Sequence, residues 1–447
     1  MPLDCFRPLH IAAVLATILA GLCTRSISAE DWPGWRGPRG DGTWNATAVP
    51  EKWPEGGPPV VWQTPIGPGY SGISVSGGRV YTMDRQKDSQ EERIVCFDDK
   101  DGELLWQHRY AADYKGLDYD KGPRCTPTVQ DGRVYTFGAV GHVFCLDAAS
   151  GKVLWSKDLV KDHKAKLPMW GFASSPVIDG KLVIIHAGIQ PGGCYVAYDR
   201  VSGEEVWRGG DDAHGYGTPI IAEHAGLKQL FGWTPEHIVA HDLRDGRQLW
   251  KYPYKIEYGV SIATPIFHDG ILLVCGYWAG SKAIKLGAKP EEAELLWEEN
   301  RYTRGLMDQP LYKDGYVYLL EKQHGTVAFE LAKGEKLWTD DNKLHPRDRN
   351  PQVSMVWLND TSPKRQRGRE QGTQPGSGRA ICLNAQGELI LIRLSPAGLI
   401  EDARAKIIGP TWAHPAYAGN CCFARDDEQI VCVRIAEPSP SETTGPR

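Results

Sequence analysis

The sequence predicts an all-β fold, an eight-bladed β-propeller whose blades are four-stranded antiparallel sheets, with seven blades as the alternative. Three observations predict it. A segment that closes on Trp recurs about every 45 residues, and self-similarity at such a period is typical of propellers and other arrays. Asp-Gly and Gly-Gly pairs separate short runs of alternating apolar residues, which is the pattern of hairpins. The 50 Gly and 31 Pro residues suit a fold with many turns.

The recurring segment has a constant order of parts. A strand leads to an acidic residue, a turn ends in Gly, and a second strand closes on Trp. The near-complete copies are Ile94–Trp106, Val143–Trp155, Tyr195–Trp207, Ile238–Trp250 and Thr326–Trp338. We expect each Trp to pack against the next blade, because a large aromatic side chain on an outer strand can bury much area there.

The acidic residue of the segment recurs at a turn, where a carboxylate can cap backbone N–H groups. The residues concerned are Asp98, Asp147, Asp199 and Asp242. A residue that recurs in every unit is better explained by the scaffold than by a site. The sequence therefore predicts structural roles for the Trp and for the Asp.

The blade count depends on three irregular copies. Trp297 closes a degenerate copy, and Ala380–Ile392 is a seventh copy with Ile392 in the position of the Trp. The C-terminal copy lacks a fourth strand, which Pro58–Thr64 can supply with Trp62 in the Trp position. Joining the two termini in one blade closes the ring and removes the free sheet edges, so we predict eight blades.

The N-terminus has the order of an export signal. Arg7 precedes the apolar run Ile11–Leu22, and Ala29 offers a small residue for cleavage. Residues 1–29 are therefore predicted to be a signal peptide, with a buried helix or a membrane anchor as the alternatives. The mature protein is expected in the periplasm or outside the cell.

Two further segments fall outside the repeat. Residues 30–57, rich in Trp, Gly and Pro, are predicted to lie on the ring as an ordered arm that precedes the propeller of residues 58–436. Residues 359–379 carry a basic run and have the composition of a disordered insertion. The tail of residues 437–447 also has a disordered composition.

Composition and motifs exclude several classes of function. A net charge of −5 argues against a general nucleic-acid binder, which would normally have a basic excess. The sequence has no phosphate loop, no Gly-x-Ser-x-Gly elbow and no His-Glu-x-x-His metal spacing. Of the 11 Cys residues, four are predicted to fill a small buried position of the third strand. These are Cys96, Cys145, Cys382 and Cys432.

The run from Cys145 through Asp147 and Gly151 to Trp155 resembles the repeat of pyrroloquinoline quinone (PQQ) propellers. Such repeats build the quinoprotein alcohol dehydrogenases and the BamB-like propellers of outer-membrane assembly. The arm resembles the start of secreted PQQ-like propeller proteins of planctomycete-type bacteria. In the dehydrogenases, the resemblance implies a quinone, a Ca²⁺ ion, an Asp base and a vicinal Cys pair in an early blade. Cys421-Cys422 is a vicinal pair, but it lies in the last blade, and no set of ligands carries over residue by residue.

Candidate binding residues are those that break the repeat just before the first strand of a blade. Propeller ligands bind at the central channel, which these strand starts surround. The candidates are Arg124, Trp170, His214, Tyr216, Tyr258, Arg304, Asp308, Trp412 and His414. They suit a polar organic ligand or an extended peptide, and the alternative is that they plug the channel and satisfy one another.

The sequence therefore predicts an exported, non-catalytic, monomeric scaffold that binds a protein or a small polar ligand at a propeller face. Peripheral association with the outer membrane is an open expectation. The alternative is a PQQ-dependent dehydrogenase with a diverged site and PQQ as cofactor. A third interpretation, a hydrolase or lyase that uses His214 and Asp308, has no motif behind it. No metal ligands are predicted.

Overall fold

The computed structural model describes residues 30–436 except 47, 87–88, 306 and 361–373. The predicted signal peptide and the predicted C-terminal tail lie outside the described residues. Eight four-stranded antiparallel sheets make up the fold, and a strand from the arm extends one of them to five. The prediction of an eight-bladed propeller is confirmed.

Two strands precede the first complete blade, β1 (Thr43–Ala46) and β2 (Val60–Pro65). Blade 1 contains β3 (Ser74–Ser76), β4 (Arg79–Arg85), β5 (Glu91–Asp98) and β6 (Leu104–Ala111). Blade 2 contains β7 (Thr128–Gln130), β8 (Arg133–Phe137), β9 (His142–Asp147) and β10 (Val153–Asp158). Blade 3 contains β11 (Val177–Asp179), β12 (Leu182–Ile189), β13 (Gly193–Asp199) and β14 (Glu205–Gly209). Blade 4 contains β15 (Ile220–His224), β16 (Leu227–Trp233), β17 (His237–Asp242) and β18 (Gln248–Pro253).

The remaining blades follow the same order. Blade 5 contains β19 (Ile266–His268), β20 (Ile271–Gly276), β21 (Gly280–Leu286) and β22 (Ala293–Glu299). Blade 6 contains β23 (Leu311–Lys313), β24 (Tyr316–Glu321), β25 (Gly325–Glu330) and β26 (Lys336–Thr339). Blade 7 contains β27 (Val353–Asp360), β28 (Gly378–Asn384), β29 (Glu388–Ser395) and β30 (Gly398–Lys406). Blade 8 contains β31 (Ala416–Ala418), β32 (Cys421–Arg425) and β33 (Gln429–Arg434), and β2 pairs with β33 as its fourth strand.

The burial of the strands follows from their place in a blade. The second and third strands are nearly continuous buried runs, as in β4 and β20, because each sheet packs between two neighbours. The fourth strand lies at the rim and alternates, as in β6 and β22, where no residue is fully buried. Two short helical segments lie in the connections, α1 (Leu159–His163) and a 3₁₀ turn (Glu257–Gly259). The core therefore lies between blades rather than at one centre.

The Trp of one blade packs against the turn of the next blade and donates a hydrogen bond to it. Trp106 in blade 1 donates its indole N–H to the carbonyl of Ala148 in blade 2, at 3.1 Å. A Cβ added to Gly151 of that turn would lie 2.5 Å from the Trp106 ring, and Gly151 has a φ of +70°, so both the contact and the backbone favour Gly. The same indole-to-carbonyl bond is made by Trp62, Trp155, Trp207, Trp297 and Trp338. The predicted packing role of the repeated Trp is confirmed.

The repeated Asp has the predicted role at the turn. The Asp147 carboxylate accepts from the backbone N–H and the hydroxyl of Ser150, at 2.8 and 2.6 Å. These hydrogen bonds lower the pKa of Asp147, because they stabilise its charged form. The equivalent carboxylates of Asp98, Asp199 and Asp242 accept from the backbone N–H two residues on.

Blade 7 differs from the prediction by one strand. Ile392 lies in the third strand, where it pairs with Ala380 and Glu401, and not in the fourth-strand position of a Trp. Cys382 lies in the second strand and pairs with Met355 and Ile390, so its predicted small third-strand position is wrong. The cause is that second and third strands have the same continuous apolar pattern, and the insertion separates β27 from β28.

Strand residues occupy both edges of the predicted insertion. β27 continues to Asp360 and β28 begins at Gly378, so both edges of the predicted disordered stretch, residues 359–379, are strand. Its central part, residues 361–373, lies outside the described residues. No helix among the described residues is long and apolar enough to cross a membrane.

Candidate functional site

The N-terminal arm crosses the central channel of the propeller. Trp32 pairs with Val75 of blade 1 through two backbone hydrogen bonds of 2.9 and 2.8 Å. The Trp35 indole then donates to the Thr264 hydroxyl beside blade 5, at 2.8 Å. β1 finally pairs in parallel with β27 of blade 7. Because blades 1 and 5 are opposite each other in an eight-membered ring, the arm spans the channel.

Trp35 forms the floor of a deep cavity on one face of the ring. The cavity has a volume of about 970 Å³, and its wall is formed by connections between blades and by hairpins between second and third strands. Trp35 also lines a second, smaller cavity of about 460 Å³, together with neighbouring residues of the arm. Its ring is therefore shared by the two cavities.

One wall of the cavity is a continuous run of aromatic rings. Tyr70 stacks on Trp412 at a centroid distance of 5.6 Å, and Tyr119 contacts Trp412 at 5.6 Å. Tyr119 also meets Trp170 at 6.5 Å, and Trp170 meets Tyr216 at 5.5 Å. The run joins the connections that enter blades 1, 2, 3, 4 and 8, so each ring comes from a different break in the repeat.

The opposite wall has a second aromatic group. Trp278 contacts Tyr258 at 5.7 Å and Tyr277 at 4.6 Å. The Lys322 ammonium lies 3.9 Å from the Tyr277 ring centroid, a cation–π geometry, and partial burial lowers the pKa of Lys322. Tyr258 is 66% exposed and has a φ of +55°, an unfavourable backbone for Tyr that turns the ring towards the mouth. This wall offers exposed aromatic faces to an incoming group.

Four cationic side chains line the cavity, namely Arg124, Lys322, Arg347 and Arg349. Among the described residues, none of the four forms an ion pair with a carboxylate. Arg124 donates to the carbonyls of Asp118 and Tyr119, at 3.2 and 2.6 Å, and so holds the connection that carries Tyr119. Arg347 and Arg349 are exposed, which leaves them available to acidic groups at the mouth.

The floor consists of neutral, mutually bonded side chains. The amide of Gln352 donates to the carbonyl of Trp412 at 2.7 Å and lies 3.3 Å from the His414 Nε2. His414 meets the Trp35 ring edge-on at 4.5 Å. Burial, with a smaller effect of the Arg36 charge, lowers the pKa of His414 to about 3, so this ring is neutral at physiological pH.

The structure places six of the nine predicted residues on the cavity wall. They are Arg124, Trp170, Tyr216, Tyr258, Trp412 and His414. The remaining three, His214, Arg304 and Asp308, lie away from the wall. That any of the nine binds a ligand stays a prediction.

Each of these three is held by a local partner. His214 is buried against Phe172, with its Nδ1 2.6 Å from the carbonyl of His186. Arg304 forms an ion pair of 2.9 Å with Glu321. The Asp308 carboxylate accepts from the backbone N–H of Val353 at 2.5 Å, and burial raises its pKa well above the usual range. A position just before the first strand of a blade therefore does not determine whether the side chain lies on the cavity wall.

Sequence reasoning missed several wall residues. Trp35 was assigned only to the arm, and Tyr277, Trp278 and Lys322 lie in hairpins rather than before first strands. The signal for Tyr277 and Trp278 is that two adjacent aromatic residues replace a short polar turn. Tyr119 stands in the long connection that precedes Arg124, where it is also a break in the repeat.

The vicinal pair Cys421-Cys422 lies apart from the cavity. Both residues are in β32, where Cys421 pairs with Arg434 and Cys422 with Val433. Cys422 is buried, and Cys421 is partly exposed. Within the described residues, no group of three or more His, Cys, Asp or Glu side chains is arranged to hold a metal ion.

A family model for the outer membrane protein assembly factor BamB matches residues 54–135, 90–340 and 234–444. These matches together span nearly the whole propeller. The chain belongs to this family. The resemblance to PQQ-like propeller repeats is thereby confirmed.

Individual relatives include members of both classes. BamB of Yersinia pestis is 21% identical over 309 residues, which cover 64% of this chain and 72% of that protein. The quinohemoprotein alcohol dehydrogenase ADH-IIG of Pseudomonas putida is 31% identical over 123 residues. Its match covers 26% of this chain and spans only 16% of the dehydrogenase.

Solved structures show the same fold. BamB of Moraxella catarrhalis has a TM-score of 0.54 at 17% identity, over 84% of this chain and 99% of that one. The dehydrogenase ADH-IIG of Pseudomonas putida has a TM-score of 0.58 at 14% identity, over 93% of this chain and 82% of that one. At these identities the likeness concerns the fold alone.

Proposed function

We propose that this protein is an exported, non-catalytic β-propeller that acts as a binding scaffold, and that a segment of a partner protein enters the open cavity. The observation that carries the proposal is the large cavity at the channel, with exposed aromatic rings on opposite walls. A cavity of about 970 Å³ lies at the upper end of the usual size of binding pockets. Aromatic side chains and Arg are also the residues that dominate protein interfaces.

The chemistry of the cavity supports binding rather than turnover. Its buried imidazole, His414, is neutral and contacts Gln352 and Ser354 instead of an acid that could relay its proton. The cations at the mouth, Arg347 and Arg349, suit acidic residues of an incoming segment. The relative from Yersinia pestis is named as an assembly factor, which supports a partner protein for this chain too.

A PQQ-dependent dehydrogenase with a diverged site is the second candidate. It is favoured by the match to the Pseudomonas dehydrogenase and by the flat faces of Trp35 and Trp170 within one cavity. Cys421-Cys422 would have no part in it, because both residues lie in a strand outside the cavity wall. This candidate predicts that PQQ quenches Trp fluorescence, and that Trp170→Ala weakens the quenching.

Site-specific photo-crosslinking tests the scaffold proposal. A benzophenone amino acid replaces Tyr258 or Trp278 at the mouth, or Val206 on the outer strand of blade 3, which is 51% exposed. We expect the two mouth positions to yield the same partner, identified by mass spectrometry, and Trp170→Ala to reduce its yield. Equal products at Val206, or alcohol oxidation by the protein with added PQQ and Ca²⁺, would overturn the proposal.

A further inference from the structure

Arg36 of the arm points into the interior of the channel. Its backbone has a φ of +60°, which is unfavourable for Arg, and the residue is only 7% exposed. One guanidinium nitrogen, Nη2, donates to the carbonyls of Asp41 and Pro310, each at 2.9 Å. A strained backbone is thus combined with a buried charge at the point where the arm meets blade 6.

Two of the three guanidinium nitrogens have no hydrogen-bond partner. Nε and Nη1 of Arg36 are buried and unpaired. Within the described part of the chain, Arg36 forms no ion pair, and the nearby Asp41 carboxylate lies 3.7 Å from Arg39 instead. Burial, opposed by a smaller effect of the Asp41 charge, lowers the pKa of Arg36 to about 10, so the group remains charged at neutral pH. A buried charge without an ion-pair partner is energetically costly.

A small internal void adjoins this guanidinium. Its volume is about 20 Å³, and Thr126, Gln309, Ser354 and His414 are its polar neighbours besides Arg36. The Thr126 hydroxyl is buried and has no hydrogen-bond partner. No acidic side chain lines the void. The surroundings therefore supply donors and one positive charge, without a negative one.

We propose that this void binds one monatomic anion, chloride in solution, between the Arg36 guanidinium and the Thr126 hydroxyl. A site of about 10–15 Å³ holds one water molecule, so about 20 Å³ admits one small ion and excludes sulfate, phosphate or a carboxylic acid. A water molecule could satisfy the donors, but it would leave the charge uncompensated. The anion would fix the arm across the channel and so complete the floor of the cavity.

Bromide is the probe for position. Crystals of the full chain grown in sodium bromide should show an anomalous peak within hydrogen-bond distance of Arg36. Stability in solution is the second readout. Sodium chloride should raise the urea midpoint above that in sodium gluconate of equal ionic strength, because an ion that binds only the folded state stabilises it. A density peak with identical midpoints in the two salts would mean an adventitious ion only.

Variants separate this site from general salt effects. Thr126→Val should reduce the difference between chloride and gluconate, and Arg36→Met should abolish it. Lys251→Met removes an exposed cation on the outer strand of blade 4, away from the void, and should leave the difference unchanged. If Arg36→Met does not fold, the test rests on comparing the chloride–gluconate difference of the wild type with that of Thr126→Val. A water molecule at the void with no halide dependence would overturn the proposal, whatever the outcome for a partner protein.

Discussion

The hydrogen bond from the Trp indole of one blade to the turn of the next can be tested with a matched pair of Trp residues. Trp207 and Trp250 occupy the same position in blades 3 and 4, and they are 6% and 8% exposed. Trp207 donates to the carbonyl of Leu243 at 2.9 Å, whereas the N–H of Trp250 is buried without a partner. Each is replaced by Phe, which removes the N–H and part of the ring in both cases.

The loss of ring area is common to both variants, so the N–H decides the difference. Trp207→Phe loses a hydrogen bond worth about 1 kcal/mol. Trp250→Phe removes an unsatisfied buried donor, which relieves about 1–3 kcal/mol. We therefore expect Trp207→Phe to lower the free energy of unfolding by about 2–4 kcal/mol more than Trp250→Phe does.

Urea denaturation at 25 °C, with refolding checked, is the suitable assay. In a domain on the order of 400 residues, a change of 2 kcal/mol shifts the melting temperature by only about 2–3 °C. Intrinsic fluorescence and far-UV circular dichroism should give the same midpoints, as two-state behaviour requires. Equal destabilisation by the two variants, or a larger loss for Trp250→Phe, would refute the assignment of the indole hydrogen bond.

Three further predictions concern the turns, the buried histidines and the thiols. Gly151→Ala should lower the free energy of unfolding by about 2 kcal/mol or more, because it adds a Cβ 2.5 Å from an indole ring. Gly180 has open space around it, so Gly180→Ala should cost only the backbone strain of about 1 kcal/mol. Equal urea midpoints for the two variants would contradict this. Burial lowers the pKa values of His186 and His414 to about 4 and about 3, so the unfolded state binds more protons below its pKa of about 6.5. Stability should therefore fall as the pH drops from about 6.5 towards 4, and urea midpoints that do not change between pH 7 and pH 5 would show that these rings are not held neutral. Iodoacetamide should label the native protein at Cys421 before any other cysteine of the described residues, since the other eight are buried, and peptide mass spectrometry reads the order.

The ring was predictable because each blade repeats the same physical solution. An Asp caps a turn, a Gly leaves room for an indole, and a Trp crosses to the neighbour. Trp62 also indicated correctly that β2 completes the last blade. The assignment of segments to the strands of blade 7 could not be predicted, because its second and third strands have the same buried apolar pattern. Its fourth strand also has Ala403 where the other blades have Trp, so the usual marker is missing.

The cavity was predictable only in part. Breaks in the repeat correctly indicated cavity-wall aromatic residues such as Trp170 and Trp412, which lie outside the repeated pattern. The breaks did not show that Arg304 forms an ion pair with Glu321 and so lies off the cavity wall. Nor could they show that the arm crosses the channel, since the contact of Trp35 with Thr264 joins residues 229 positions apart.

The pairing of β2 with β33 also constrains biosynthesis. The strand made early, Val60–Pro65, has its only sheet partner in Gln429–Arg434 among the described residues, so it must wait until almost the whole nascent chain has been synthesised. Until then two sheet edges remain open to other chains. A prematurely terminated chain would never close them. The ring can therefore close only after β33 has been synthesised. A chain that ends before β33 would remain an open ring.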